Sequence, residues 1–189
     1  IPIITISDPN RDTLNPDDYT LEITSNNDHI YTFKKTNIEY TITPNFQIPV
    51  RYLVVGGGGG GGGANSHFKH ITPSGYYYKE NMVGTGGGGG GGGVLDDTIT
   101  LESNSIYKVY VGSGGTGRRT WEGSDNGQDS YIKINDIKEI EAFGGGKGGR
   151  VQNSSRYNGG GSGGCGGGGS SSSDSSSSYL HTGNAVNGG

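Results

Sequence analysis

The stretch RYLVVGGGGGGGGAN, residues 51–65, decides how this chain is read. Tyr52, Leu53, Val54 and Val55 are strand formers, and they run without a break into eight glycines at 56–63. Glycine loses more backbone freedom on ordering than any other residue, so an ordinary helix or strand discourages it. A flexible linker usually mixes in serine and lies between domains. Outward along the chain the same junction recurs. A second run of eight glycines fills 86–93, YKVYV at 107–111 leads into the dense stretch 112–117, and IEAF at 140–143 leads into 144–149. A fifth dense stretch occupies 159–169. Strand running repeatedly into glycine argues for built structure rather than slack.

One extended form suits bare glycine. The polyproline II helix has three residues per turn, rises about 3.1 Å per residue and makes no internal hydrogen bonds, so eight residues form a rod of roughly 25 Å. Its N–H and C=O groups point outward and need partners. Without side chains, neighbouring rods approach to backbone hydrogen-bonding distance on several sides, with Cα–H···O contacts adding to the lattice. Ordering costs about 1–2 kcal/mol per residue, and one hydrogen bond returns only about 1 kcal/mol net. A lone run therefore loses, whereas several runs anchored by apolar strands can win. The sequence predicts five runs packed as a bundle of polyglycine II rods.

Composition agrees with a chain short of ordinary core. Of 189 residues, 41 are glycine and only 28% are hydrophobic, so side-chain burial alone cannot hold all of it. Sixteen isoleucines against six leucines and three alanines favour β structure over helix. The predicted fold class is all-β. A sandwich-like or barrel-like N-terminal unit spans 1–55, the polyglycine II domain 56–169, and a serine- and glycine-rich tail 170–189. Strands are expected near 3–6, 19–23, 29–33, 39–43 and 48–55, separated by Asn, Asp, Pro and Ser turn signals. In Tyr19-Thr20-Leu21-Glu22-Ile23 the odd positions are expected to face inward. Residues 130–143 read as a hairpin turning at Asn135-Asp136, with a short helix over 136–143 as the alternative. Ser170–Ser178, broken only by Asp174, reads as a mobile tract or glycan acceptor.

A net charge of −4 gives no electrostatic footprint for nucleic acid or an anionic membrane. Apolar runs of a few residues do not span a bilayer. The single cysteine, Cys165, excludes an intrachain disulfide and reads as a small filler in a glycine tract. The start at Ile1, without methionine, is read as a removed leader or a fragment of a longer chain.

Several motifs match formally and fail in context. Residues 55–61 satisfy a dinucleotide fingerprint, yet no helix pattern follows the glycines. The segment GGGKGGR at 144–150 lacks the Ser or Thr after Lys147 that a P-loop needs, so Lys147 reads as an exposed loop charge between rods. His67 and His70 share no face without a helix. Asp125, Asn126 and Asp129 lack the spacing of a calcium loop and read as a glycine-flanked turn. No metal site, cofactor or catalytic constellation is expected, and the chain reads as non-enzymatic. Tyr76, Tyr77 and Tyr78, and Arg118 and Arg119 with Trp121, are the residue types that anchor interfaces and stack on sugar faces. They are the candidate ligand- or receptor-binding residues, weighed against covering the rod ends or packing on a neighbouring subunit. Asn153-Ser154-Ser155 is a glycosylation sequon, meaningful in a secreted eukaryotic protein.

The order of these strand exits, from YLVV into glycine through VL at 94–95, IYKVYVGSGG at 106–115, GSDNGQDS at 123–130 and EAFGGGKGG at 141–149, carries a resemblance. Over about residues 48–169 the chain resembles the glycine-rich domains of giant-virus and phage proteins, including tail-fibre adhesins built as polyglycine II sandwiches. That resemblance implies a virion-surface or extracellular fibre component whose loops, here 64–85, 116–129 and 150–158, meet a receptor. The expected function is a structural fibre or filament subunit that assembles with copies of itself through β-strands such as 1–6. The alternative is an adhesin at a fibre tip that recognises a host-surface glycan or protein. An ice-binding protein, a third class, fits eight-glycine blocks and tyrosine loops poorly.

Overall fold

Asparagine and aspartate set the turns of this all-β chain. Asn27, Asn37, Asn104, Asn135 and Asp136 carry left-handed φ values between 48° and 67°, a conformation that short polar side chains tolerate better than other non-glycine residues. The computed structural model describes residues 4–8, 17–63, 66–67, 70–71, 77–78, 82–118, 123–153, 156–157, 159–173 and 180–182. No helix occurs among them, and so none is long and apolar enough to cross a membrane.

The strands are β1 (Ile4–Ser7), β2 (Tyr19–Ile23), β3 (His29–Phe33), β4 (Glu39–Pro44), β5 (Ile48–Val55), β6 (Ser66–His67), β7 (His70–Ile71), β8 (Tyr77–Tyr78) and β9 (Met82–Thr85). There follow β10 (Val94–Leu101), β11 (Tyr107–Tyr110), β12 (Ser130–Ile134), β13 (Ile137–Ala142), β14 (Val151–Asn153), β15 (Arg156–Tyr157), β16 (Ser171–Ser173) and β17 (Leu180–Thr182). The largest sheet has the order β1-β4-β11-β12-β13, and every pairing in it is antiparallel. It joins strands from both sides of residue 55. A two-stranded ribbon pairs all eight residues of β5 with β10.

Alternation within the large sheet separates core from surface. Register puts Tyr40, Ile42, Tyr107, Val109, Ile132, Ile140 and Ala142 on one face. There Val54, Ile140 and Ala142 form a buried cluster, with Tyr52, Ile99 and Ile132 packed against it. The ribbon therefore closes the apolar face. The β12–β13 hairpin turns through Asn135-Asp136, both with positive φ, so the hairpin reading holds over the helix. A two-residue turn of that kind matches the right-handed twist of its strands.

Two expectations are corrected. The odd positions of β2 face inward only at Tyr19, half-buried with its ring 5.9 Å from that of Phe33, whereas Leu21 is 47% and Ile23 57% exposed. The cause is that, among the described residues, β2 pairs only with β3, and the hairpin meets the large sheet where the Phe33 and Tyr40 rings lie 5.1 Å apart. The serine tract is also not wholly slack, because Ser171–Ser173 is a strand paired with β9 and β17.

Between the strands, glycine segments bond to one another with a period of three. The N–H groups of Gly56, Gly59 and Gly62 donate to the carbonyls of Gly93, Gly90 and Gly87 at 2.8–2.9 Å, an antiparallel match. Those of Gly57 and Gly60 donate to Gln128 and Asp125. The carbonyls of Gly57 and Gly60 accept from Gly145 and Gly148, and those of Gly58 and Gly61 from Gly115 and Arg118. The first run thus meets four neighbours, each at every third residue. Segment 143–150 likewise bonds to the 86–93 run through Gly93 to Phe143, Gly90 to Gly146 and Gly87 to Gly149, and to 159–169 through Gly146 to Cys165 and Gly149 to Gly168.

Candidate functional site

Two features outside the core offer chemistry: the bare glycine segments and the polar face of the large sheet. In the segments, close approach is what requires glycine. A Cβ on Gly59 would stand under 3.0 Å from the Gly146 carbonyl oxygen, and one on Gly62 equally close to that of Gly149. Neither residue needs a left-handed φ. Serines finish the lattice with small hydroxyls. Buried Ser124 donates its Oγ–H to the Gly148 carbonyl at 2.9 Å, and Ser130 Oγ accepts from Gly112 N–H at 3.0 Å. Lys147 is exposed, as expected, but it lies inside a bonded segment rather than in a loop.

On the sheet's other face, register aligns Glu39, Tyr110, Tyr131 and Glu141 in one row and Lys108, Lys133 and Lys138 in the next. Tyr110 and Tyr131 stack with centroids 4.9 Å apart and planes at 11°. Lys138 Nζ lies 4.6 Å from the Tyr131 ring centroid, a cation–π distance, and also pairs with Glu141. Glu39 Oε2 accepts from Lys133 Nζ at 2.7 Å and from Tyr131 O–H at 3.1 Å. The Lys133 hydrogen bond, foremost, holds the Glu39 carboxyl below the usual glutamate range, and Glu39 in turn raises Lys133. Burial, then the Glu39 contact, pushes the Tyr131 hydroxyl up.

The sign for Glu39 follows from linkage. A carboxylate whose pKa is lowered on folding adds stability above its unfolded value, and loses it as pH falls through the folded value. Glu39→Gln is expected to cost about 1 kcal/mol at neutral pH, given partial exposure. It should also flatten the decline in stability between roughly pH 5 and pH 3. Urea melts of both proteins across that window check this. Parallel curves would show that Glu39 carries no linkage.

Beside the stacked tyrosines lies a shallow, open cleft of about 550 Å³, lined by Tyr110, Tyr131 and Lys138 and by Asn126, Gly127, Gln128 and Asp129. Backbone donors fix its amides. Asn126 Oδ1 accepts from Lys147 N–H at 2.9 Å, and Gln128 Oε1 accepts from Ser113 N–H at 3.2 Å. Each NH₂ is thereby turned away from those donors. Asp129 Oδ1 accepts from Gly144 N–H at 2.7 Å. Amide donors, a carboxylate acceptor and aromatic rings are together the groups that engage a hydroxylated ring, whose hydroxyls donate and accept at once. The 123–129 segment is thus an extended, bonded strip and not the expected turn. Among the described residues no cluster of His, Cys, Asp or Glu is arranged to hold a metal ion.

Of the expected binding residues, Tyr77, Tyr78 and Arg118 are among those described. Tyr76, Arg119 and Trp121 lie outside the described residues. Tyr77 and Tyr78 form β8, paired with Ile71 and His70 of β7. Arg118 is exposed, and its N–H donates to the Gly61 carbonyl at 3.2 Å. Asn153 sits in β14, opposite Arg156. The cleft went unread in the sequence because its walls come from strands β11, β12 and β13 and the segment before β12. Only the pairing of Tyr110 with Tyr131 hints at it, and that pairing needs the sheet order.

A family model described as a glycine-rich domain matches residues 34–189. No curated protein and no solved structure matches the chain.

Proposed function

We propose that this chain, which belongs to the glycine-rich domain family, packs its glycine runs as polyglycine II rods and serves as a non-enzymatic structural subunit of an extracellular or virion-surface fibre. One observation carries the reading: hydrogen bonds return to the same neighbour at every third residue, which is the period of a helix form with three residues per turn. Bonded on several sides and anchored by β5, β10, β11 and β13, such rods resist bending and present almost no side chains for chemistry. Copies of the chain join into the fibre of giant-virus and phage type, with strand addition at β1, the edge strand of the large sheet among the described residues, as one route. Electron microscopy of the purified protein, with amide exchange at Gly59, Gly62 and Gly90, tests this. Filaments with slow exchange are expected. Isolated particles at every concentration, or free-coil exchange rates, would overturn the fibre or the rods respectively.

The cleft favours a second reading, an adhesin that recognises a host-surface glycan. Tyr131→Ala with Asn126→Ala should then abolish glycan-array signal while leaving assembly intact. An array with no wild-type signal would remove this reading.

A further inference from the structure

Some glycines in the runs have no steric reason among the described residues to be glycine. Gly58, Gly61, Gly88 and Gly91 are all exposed. A Cβ on Gly88 would meet nothing within 4 Å, and one on Gly58, Gly61 or Gly91 only an atom at 3.8, 4.0 or 3.9 Å. None has a left-handed φ. Alanine at such positions would stabilise the fold by about 0.4–1 kcal/mol, through a less disordered unfolded chain. Bareness here costs stability, and no contact among the described residues offsets it.

The same four residues form one patch. The bonds from Gly56 to Gly93, Gly59 to Gly90 and Gly62 to Gly87 set Gly58 beside Gly91 and Gly61 beside Gly88. Segment 111–118 extends the patch on the far side of the first run, with exposed Gly114 and Gly117 at the equivalent phase. The carbonyls of Gly58, Gly61, Gly88 and Gly91 accept from Gly115, Arg118, Gly168 and Cys165, whereas their N–H groups have no partner among the described residues. Within a segment these donors recur every third residue, about 9 Å apart.

We propose that this face docks against the same face of a second copy of the chain, glycine segment on glycine segment. An N–H row at that spacing is complemented by a C=O row at the same spacing with no side chain between, and each carbonyl here keeps a second lone pair. Most hydrogen bonds between glycine segments inside the chain join backbone N–H to backbone C=O in this way, so the proposed interface continues that lattice by one layer. Meeting face to face, two copies satisfy the isologous rule that a patch contacts itself. The proposal rests on the homo-oligomeric reading above and names its surface.

The test uses the full chain, wild type and Gly61→Val/Gly88→Val, in sedimentation equilibrium with thermal melts in parallel. The wild type should associate with concentration. The double variant should melt within a few degrees of wild type and associate at least tenfold more weakly. Association of the variant as strong as wild type would overturn this face while leaving the fibre reading standing. A wild type that stays monomeric would overturn both. Should the double variant not fold, Gly88→Ala, whose Cβ meets nothing, takes its place, with weakened association expected and unchanged association overturning the proposal.

Discussion

An alanine scan through residues 56–62 is expected to give a stability profile with a period of three. At Gly56, Gly57, Gly59, Gly60 and Gly62 the added Cβ would lie under 3.0 Å from a carbonyl of a neighbouring segment. Backbone cannot rotate aside as a flexible side chain does, so the segments must separate. That forfeits dispersion and one or two hydrogen bonds, for about 2–4 kcal/mol at each site. For a chain of this length the melting temperature should fall on the order of 10 °C. At Gly58 and Gly61 the same substitution has room and should lie within about 1 kcal/mol of wild type, toward greater stability. Denaturant melts of the seven variants decide it. A flat profile, or one alternating every second residue as a strand would, refutes the three-residue lattice.

The second large effect is expected at Tyr40→Ala. Tyr40 is fully buried, faces Val109 across β4 and β11 and touches Phe33 of the outlying hairpin. Removing the ring leaves a cavity that fixed β-sheet neighbours cannot fill, at about 3–5 kcal/mol. Leu21→Ala, at an exposed position of β2, should change stability by no more than about 0.5 kcal/mol. Equal losses at the two sites would mean that a second layer covers the hairpin at Leu21.

Much of this fold was legible because local chemistry and global pairing agree. Tyr19–Ile23, His29–Phe33 and Ile48–Val55 are strands at the residues read from β-formers between turn signals. Asn135-Asp136 supplied the turn that their left-handed φ requires. The inward facing of Leu21 and Ile23 was misread because alternation marks a face but does not say whether anything covers it. A serine tract carries no hydrophobic signal, so β16 is set by its partners β9 and β17 alone. The cleft was beyond reach for the same reason: nothing in residues 126–129 tells that they lie alongside Tyr110 and Tyr131. The aromatic loops drew attention by composition, whereas Asn126 and Gln128 matter by the direction in which backbone donors hold their amides.

A lattice of peptide groups also changes how the molecule responds to temperature. Exposing hydrocarbon raises the heat capacity of a protein, whereas exposing polar groups lowers it. The glycine segments hide amides and almost no hydrocarbon, so calorimetry should find a heat-capacity increment on melting below the usual 12–15 cal/mol/K per residue, roughly in proportion to glycine content. A smaller increment flattens the dome of stability. The protein should therefore stay folded far into the cold, where proteins held by oily cores weaken.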